Sequence, residues 1–500
     1  MNTIKQNIIA NFAGGLWSGL MGLVFVPLYI HFMGIEAYGL IGIFTSLLAL
    51  LSLLDMGLSS TLNREIARMV VQKKNAQDIR DLVRTLEIPY WLISLLVAVI
   101  ITLASPVIAY HWVKVGNLSP DSVRTAIIIM GLAYAFQWPA SLYSGGLMGL
   151  QRQVLLNSIY VVMATVRGFG AVLVLWLVSP TVEAFFLWQI VVSIIQTGLI
   201  AIFLWRSLPD AGTKPRFRRQ LLLNIWHFAA GMTGISVLGT ILTQMDKIVL
   251  SRILSLEMFG YYSLAYLVAA SLFRLITPVF SATYPQLTSF VELGALKDLT
   301  MLYHKSAQLV SVLVLPAAFV LALFSKQILL LWTRNPTLVE HTYLLVSIMA
   351  MGTAFNSLLN IPYALQLAHG WTRLALLAHF VSILLLVPLL VLFTKWYGAV
   401  GAASIWVILN VSYVIFVIQI MHQRLLRAEK WRWYYQDVGM PFVVALVVAG
   451  FLRIAVPVPD QKLFQVGYVA LVAVLTLGST AMATSVTRDW IRAHCCALSL

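Results

Sequence analysis

The sequence predicts an all-α polytopic membrane protein with about 14 transmembrane helices, each of which needs about 20 mostly apolar residues. Two features of the composition support this class. Of the 500 residues, 60% are hydrophobic and 10% are charged, whereas soluble domains carry about 25% charged residues. The apolar residues are also gathered into long runs separated by short polar connections. A large soluble enzyme is therefore excluded, as is a disordered chain, which would be charge-rich and poor in apolar residues.

The predicted spans follow one another along the whole chain. In order they cover 8–30, 38–62, 85–110, 125–149, 154–178, 184–205, 225–250, 259–285, 306–331, 342–367, 374–394, 400–421, 438–456 and 464–487. The first span is too long for a signal-peptide core and has no small-residue cleavage site behind it, so we expect it to be retained. The longest connection on the predicted outer side, around 111–124, is too short to hold a folded catalytic domain.

The basic residues predict the orientation of the chain. It carries 33 Lys and Arg against 18 Asp and Glu, a net charge of +15. Most of these basic residues fall in connections on the same side as the N-terminus, above all in 63–84 and 206–224. Because Lys and Arg collect in cytoplasmic loops, both termini are expected to be cytoplasmic. Membrane orientation accounts for the positive charge, so we expect no nucleic-acid partner.

An internal repeat predicts two lobes. The segment GIEAYG at 34–39 matches SLEMFG at 255–260, about 220 residues later, and Trp188 matches Trp406 at nearly the same offset. The first six spans and the next six therefore look like two copies of one unit. Since each copy has an even number of spans, both have the same orientation, as in transporters with parallel repeats.

The repeat also predicts the domain organisation. Two pseudo-symmetric six-helix lobes cover 1–205 and 225–423, with a basic cytoplasmic linker at 206–224 between them. The remainder, 424–500, is expected to form an additional helix pair and a cytoplasmic tail. Transporters with such repeats place the substrate site between the halves and rock about it.

Four basic residues in or beside the spans are candidates for a substrate site. Arg274 and Arg167 lie near the middle of their spans, Lys247 near the outer end of the seventh span, and Arg64 at the inner end of the second. Charges at membrane depth are costly and usually face a cavity or a partner. Guanidinium groups match phosphate geometry, so these residues predict an anionic headgroup such as a pyrophosphate. Snorkelling to the membrane surface is the alternative for Arg64.

Two carboxylates are candidates for ion coupling. Asp55 lies in the inner half of the second span and Asp246 near the outer end of the seventh. Either carboxylate could bind a coupling proton or a sodium ion. Asp246 and Lys247 are sequence neighbours that point about 100° apart on a helix, so we expect them to have separate partners. A structural ion pair is the alternative to a transport role for Asp246 and Lys247.

Other chemistry is not indicated by the sequence. It contains no phosphate-binding GxxxxGK[ST] run, no HExxH motif and no Cys/His cluster with metal-ligand spacing, so no cofactor or metal is expected. The two cysteines, Cys495 and Cys496, are adjacent and cannot join distant segments.

Several N-terminal segments resemble one family. Together they resemble the N-terminal region of bacterial Wzx-type O-antigen flippases, which belong to the MOP superfamily (multidrug/oligosaccharidyl-lipid/polysaccharide exporters). The segments are NFAGG at 11–15, PLYI at 27–30, GIEAYGL at 34–40, LLDMGL at 53–58 and LNRE at 62–65. Beyond about the first 70 residues the resemblance rests on the layout of the spans and the repeat.

This resemblance implies a specific function. Members of the family are expected to have two six-helix lobes around a central cationic cavity and to move undecaprenyl-pyrophosphate-linked oligosaccharides from the cytoplasmic to the periplasmic leaflet. It implies a bacterial inner-membrane protein whose partners are the lipid-linked oligosaccharide, membrane lipids and other polysaccharide-assembly proteins. Arg64 and Asp55 match the family's second span, and Arg274 and Lys247 fall on cavity-lining spans. Many members have twelve spans, and fourteen is more similar to the lipid II flippases.

Two other functions remain as alternatives. A multidrug or cation antiporter of the same superfamily should have an acidic cavity, whereas basic residues outnumber acidic ones in the spans expected to line this one. A membrane-embedded polysaccharide polymerase or ligase should have a sizeable outer loop or a catalytic cluster, and the short outer loops argue against it. We therefore expect a transporter and not an enzyme.

Overall fold

The computed structural model describes residues 2–72, 75–457, 459 and 461–485, and for 2–5, 8 and 224–236 it describes the helical backbone without side chains. Over this part of the chain every named element is a helix or a helical turn, and no β-strand forms. The predicted all-α class is confirmed. Cys495 and Cys496 lie outside the described residues.

The chain divides into two compact units, Met1–Gly260 and Tyr261–Leu500. The helices that begin in the first unit are α1 (Asn2–Val24), α2 (Val26–Leu51), α3 (Leu58–Val71), α4 (Ala76–Val107), α5 (Pro120–Gln137), α6 (Ala140–Gly149), α7 (Gln153–Leu177), α8 (Val182–Ser207), α9 (Arg219–Ile253) and α10 (Leu256–Ala270). A 3₁₀ turn, Ser52–Asp55, precedes α3, and a π-helical turn, Ile108–Trp112, extends α4.

The second unit is helical in the same way. Its helices are α11 (Phe273–Glu292), α12 (Leu296–Leu323), α13 (Ser325–Thr333), α14 (Pro336–Leu358), α15 (Asn360–Ala368), α16 (Arg373–Ser412), α17 (Ile418–Arg424), α18 (Lys430–Arg432), α19 (Met440–Ala455) and α20 (Lys462–Ala483). A π-helical turn, Tyr413–Val417, joins α16 to α17. A 3₁₀ turn, Arg427–Glu429, and a π-helical turn, Trp433–Gly439, flank α18.

Several helices begin at a polar capping residue. The side chains of Asn75, Ser119, Thr181 and Asn335 accept hydrogen bonds from backbone N–H groups in the first turns of α4, α5, α8 and α14. These bonds satisfy N–H groups that have no partner within the helix. Short polar connections therefore contain local signals that start the long apolar helices.

Two glycines interrupt apparently continuous helices. Gly34 within α2 has φ +82° and Gly398 within α16 has φ +60°. L-residues with a side chain rarely adopt this left-handed backbone, whereas glycine does so without steric cost. Both glycines fall in predicted connections, 31–37 and 395–399, so the chain changes direction where the sequence predicts a loop.

The described helices include ten that are long and apolar enough to cross a membrane, or eleven when α10 and α11, which are bent by 41°, count as one span. The apolar part of α1, Ile9–Val24, is shorter than a full span. The protein is thus a multi-pass membrane protein. The exact number of fourteen spans remains a prediction, as do the two-lobe symmetry and the lobe boundaries at 1–205 and 225–423.

In the first unit, α9 packs against α2, α3 and α4. The sequence assigns this helix to the second lobe, but its contacts place it with the first compact unit, which ends at Gly260. The 255–260 segment that matches 34–39 in the repeat therefore lies at the boundary between the two units.

Helices α3 and α6 approach each other closely through two glycines. A Cβ atom at Gly145 would overlap the carbonyl oxygen of Ser59, and one at Gly149 would lie 2.7 Å from the carbonyl oxygen of Asn63. Glycines four residues apart line one face of a helix and allow two backbones to approach within the membrane. This contact holds the start of α3 against α6.

The predicted linker is anchored on the first unit. The carboxylate of Asp81, which is fully buried on α4, lies 2.7 Å from the Nε of Arg218 and also accepts the backbone N–H of Arg216 at 2.7 Å. A second ion pair joins Arg218 to Asp78 at 2.9 Å. The predicted basic linker is therefore bound along the first turns of α4.

Candidate functional site

Asp55 lies at a break in the helical path between α2 and α3. It ends the 3₁₀ turn Ser52–Asp55, and the next two residues, Met56 (φ 45°) and Gly57 (φ 73°), both have left-handed backbones. A non-glycine residue with positive φ is uncommon and is often found where the backbone serves a function. The break directs the Asp55 carboxylate towards α4 and α6.

The partners of the Asp55 carboxylate are hydroxyl groups. Tyr90 of α4 donates to one oxygen, Ser141 of α6 donates to the same oxygen at 3.5 Å, and Ser59 of α3 donates to the other at 2.9 Å. The Tyr90 ring stacks on Trp138, with ring centroids 4.6 Å apart. Within the described residues no Lys or Arg forms an ion pair with Asp55. A carboxylate surrounded by hydroxyl oxygens can exchange these hydrogen bonds for a proton or a hard cation.

Lys247 and Asp246 lie on α9, which contacts α2, α3 and the turn that carries Asp55. Lys247 is 5% exposed, and its Nζ donates to the carbonyl oxygen of Thr243 at 3.2 Å and to the side-chain oxygen of Gln244 at 3.1 Å. Asp246 is half-buried. Helix α9 thus contacts the Asp55 turn, but the end of α9 that carries Lys247 lies at the far end of α4, where Ser251 accepts a hydrogen bond from the indole N–H of Trp112 at 2.9 Å. The structure does not bring Lys247 and Asp55 together, and a shared site for them stays a prediction.

Arg64 lies on an exposed face of α3. Its Nη2 is 3.9 Å from Glu65, and the same glutamate pairs with Arg68 at 2.6 Å. The Arg64 side chain is 52% exposed. Exposure leaves the guanidinium accessible, which agrees with both interpretations of this residue, phosphate binding and snorkelling.

Arg167 is bound by two glutamines of α8. Its Nη1 donates to Gln189 at 2.6 Å and its Nη2 donates to Gln196 at 3.1 Å, while Trp188 donates to its backbone carbonyl at 3.3 Å. Glutamines seven residues apart lie on one helix face, and this spacing could have been recognised in the sequence. The contacts show that Arg167 joins α7 to α8, so a substrate role for it stays a prediction.

Arg274 belongs to the second unit. It is the second residue of α11, directly after the bend between α10 and α11. Its side chain is exposed, and among the described residues nothing forms an ion pair or a side-chain hydrogen bond with its guanidinium. Arg274 is therefore a positive charge that the second unit itself leaves available.

Sequence reasoning missed the hydroxyl groups around Asp55. Tyr90 and Ser141 come from separate helices, and no spacing in the sequence connects either of them with Asp55. Only the local neighbour Ser59, four residues away on the next turn, could have been inferred from helical periodicity.

The fold is shared with solved membrane transporters. A structure of the lipid II flippase MurJ in an inward closed conformation superposes with a TM-score of 0.70 at 13% identity, covering 94% of this chain and 97% of that one. An inward-facing multidrug resistance MATE family transporter of the MOP superfamily gives 0.65 at 14% identity, covering 85% and 96%. The helices and their packing thus define a multi-pass membrane protein with the fold of these transporters.

Sequence comparisons place the chain within this class. Residues 4–291 match the family described as polysaccharide biosynthesis protein, and the chain belongs to that family. A putative O-antigen transporter from Shigella flexneri is 21% identical over 405 residues, which cover 81% of this chain and 94% of the relative. The resemblance predicted from the N-terminal segments is confirmed.

Proposed function

We propose that the protein moves an undecaprenyl-pyrophosphate-linked oligosaccharide, an O-antigen or exopolysaccharide repeat unit, from the cytoplasmic to the periplasmic leaflet by alternating access. The observation that carries this proposal is the match of residues 4–291 to a family of polysaccharide biosynthesis proteins. The name of the Shigella relative, an O-antigen transporter, supports the substrate class. The fold shared with a lipid II flippase supports a lipid-linked substrate.

The proposed headgroup contacts are basic. Arg274 is exposed and unpaired among the described residues, and the Nζ of Lys247 contacts a carbonyl and an amide oxygen. Both side chains can bind phosphate oxygens, Arg274 through two parallel hydrogen bonds and Lys247 as a point charge. Arg64 contributes a further accessible guanidinium. Arg167 contributes positive charge without a direct bond to the substrate, because both of its terminal nitrogens already donate to glutamines of α8.

The proposed coupling site is Asp55, with Asp246 as a second candidate. The three hydroxyls at Asp55 supply oxygens that can coordinate sodium or accept hydrogen bonds from a protonated carboxyl group. Coupling at this position would act on the turn between α2 and α3. Since that turn contacts α9, a movement of the turn on ion binding would be transmitted to the helix that carries Lys247.

The proposed cellular setting follows from the same family. The protein is a transporter of the bacterial inner membrane with both termini in the cytoplasm, and it acts alongside the enzymes that build and polymerise the repeat unit. A multidrug antiporter is the second candidate, favoured by the fold shared with MATE transporters. Exposed positive charge at Arg274 favours an anionic substrate over a cationic drug.

The test is the leaflet location of lipid-linked repeat units in cells. Cells lacking the protein should retain the units on the inner leaflet, and the wild-type protein should restore their transfer. Arg274→Ala should fail to restore it, whereas Lys297→Ala, which removes an exposed base from the first turn of α12, should succeed. Units that reach the outer leaflet without the protein would contradict the proposed function, and full activity of Arg274→Ala would contradict the site alone.

A further inference from the structure

A buried histidine in the second unit lies between two carboxylates. His304 of α12 is 2% exposed; its Nδ1 contacts an oxygen of Asp437, and its Nε2 lies 2.9 Å from Glu429. Asp437 is fully buried, and its other oxygen accepts a hydrogen bond from Gln308 at 2.8 Å. None of these residues belongs to the site proposed for substrate or coupling ion.

The heavy-atom positions determine how many hydrogens this cluster holds. Each N···O contact needs one hydrogen between the two atoms, because an ionised carboxylate is an acceptor only. A neutral imidazole carries a single N–H and can satisfy one of the two contacts. The other contact would then bring two lone pairs together. The two contacts need two hydrogens, and a neutral ring with two ionised carboxylates has only one. The cluster therefore holds one additional proton.

Charge balance supports the presence of the extra proton, and the basicity of histidine places it on the ring. Arg432 lies 3.5 Å from Glu429. With an imidazolium at His304, the charges of His304, Asp437, Glu429 and Arg432 sum to zero. Without the extra proton they leave a net negative charge beside the fully buried Asp437, which is costly in an apolar interior. Histidine also binds a proton more readily than a carboxylate does in water.

Within the described part of the chain, the groups that neighbour this cluster can be named on each side. Two hydroxyl groups contact this end of α12. Thr283 of α11 donates a hydrogen bond to the hydroxyl of Ser306 at 3.0 Å, and Ser485, just after α20, donates to the side-chain oxygen of Gln308 at 3.0 Å. From α17, His422 contacts the hydroxyl of Tyr303 at 3.3 Å. Among the described residues, which end at 485 on this side, the remaining titratable or charged neighbours lie on the segment 427–439. They are Glu429, Lys430, Arg432, Tyr434 and Asp437.

The cluster connects two parts of the second unit. His304 and Gln308 belong to α12, whereas Glu429 and Asp437 belong to the segment that leads into α19. Helices α19 and α20, which correspond to the additional helix pair, both pack on α12. We propose that His304, Asp437 and Glu429 form a proton-binding site whose occupancy holds this helix pair against α12. Withdrawal of either carboxylate releases the proton to water.

The test is the hydrogen count on the His304 ring. The full chain, labelled with 15N-histidine and reconstituted in lipid nanodiscs, is compared at neutral pH with His304→Gln, so that the difference spectrum isolates His304. We expect both ring nitrogens to carry hydrogen. A ring with hydrogen on one nitrogen only would overturn the proposal.

Asp437→Asn provides a sharper variant. The side-chain nitrogen of Gln308 donates to this position, so the amide oxygen of the new asparagine stays opposite Gln308. The amide N–H group of the asparagine then faces Nδ1 of His304 and donates to it. The ring then needs one hydrogen only, and its spectrum should change to that of a neutral ring. An unchanged spectrum with hydrogen on both nitrogens would contradict the proposal. His379→Gln, on α16, should leave the His304 signal unaltered.

A second readout covers the case in which Asp437→Asn does not fold. Glu429 is 26% exposed and tolerates change better, so Glu429→Ala, which removes the acceptor of the Nε2 hydrogen together with one negative charge, should give the same loss of one hydrogen. Amide exchange in 427–439, corrected for its intrinsic pH dependence, should also quicken in the wild type as pH rises and the proton leaves. Exchange in the wild type that shows no such pH dependence would contradict the role in holding the helix pair.

Discussion

The hydroxyl of Tyr90 donates a hydrogen bond to the carboxylate of Asp55, although 35 positions separate the two residues in the chain. The bond joins α4 to the turn at which α2 gives way to α3. Two serines complete the arrangement, so the only negative charge at this turn is surrounded by neutral hydroxyls within the described structure. Such a carboxylate can exchange its hydroxyl hydrogen bonds for a proton or a hard cation.

Removal of the Tyr90 hydroxyl should therefore destabilise the protein. Tyr90→Phe leaves a partly buried carboxylate without its strongest donor, and we expect a loss of about 1–3 kcal/mol. Tyr134→Phe is the matched control, because the buried Tyr134 hydroxyl has no hydrogen-bond partner among the described residues. Unfolding in detergent should show a lower midpoint for Tyr90→Phe only. Equal midpoints for the two variants would show that the bond contributes little.

A Cβ atom at Gly145 should disturb the contact between α3 and α6. Gly145→Ala places that atom against the Ser59 carbonyl, which forces the backbones apart. We expect a loss of about 1–3 kcal/mol from overpacking. Gly198→Ala, where a Cβ atom meets nothing within 4 Å, should be neutral or stabilising by about 0.4–1 kcal/mol. Thermal unfolding of the two purified variants distinguishes these outcomes, and a stable Gly145→Ala protein would refute the close contact.

The linker anchor should depend on Arg218. Arg218→Gln removes the cation from the buried Asp81 carboxylate, and we expect a loss of about 2 kcal/mol together with faster proteolysis in 209–217. Lys326→Gln breaks a pair with Glu340 in the second unit in which both side chains are exposed, so its effect should fall within about 0–1 kcal/mol. Limited proteolysis in detergent tests the difference. Cleavage at the same rate in both variants would show that the linker is held by other contacts.

The two arginines near mid-span should behave differently. Arg167→Ala leaves the buried amide of Gln189 without its donor and should cost about 1–3 kcal/mol. Arg274→Ala removes an exposed and unpaired side chain and should leave the unfolding midpoint unchanged. A stable Arg167→Ala protein that has lost transport would instead assign Arg167 a direct contact with the substrate.

The sequence predicts the all-helical class, because membrane spans need long apolar runs and each run is visible on its own. It also locates the two turns at Gly34 and Gly398, where loop signals and glycine coincide. Contacts between side chains of different helices are harder to predict from the sequence. Tyr90 contacts Asp55, and His304 contacts Asp437, only after their helices have packed together. No spacing in the sequence specifies that packing. Arg167 illustrates the opposite case, since its partners Gln189 and Gln196 follow a helical period that sequence analysis could have used.

The most direct test of the account uses purified protein in liposomes that contain a polyprenyl-pyrophosphate-linked oligosaccharide, with the transfer of the headgroup between leaflets as the readout. The wild type should accelerate transfer, and Arg274→Ala should slow it about tenfold or more, as expected for loss of a charged hydrogen bond. A polyprenyl-monophosphate analogue should be moved more slowly by the wild type. Transfer no faster than in liposomes without protein would contradict the proposed function.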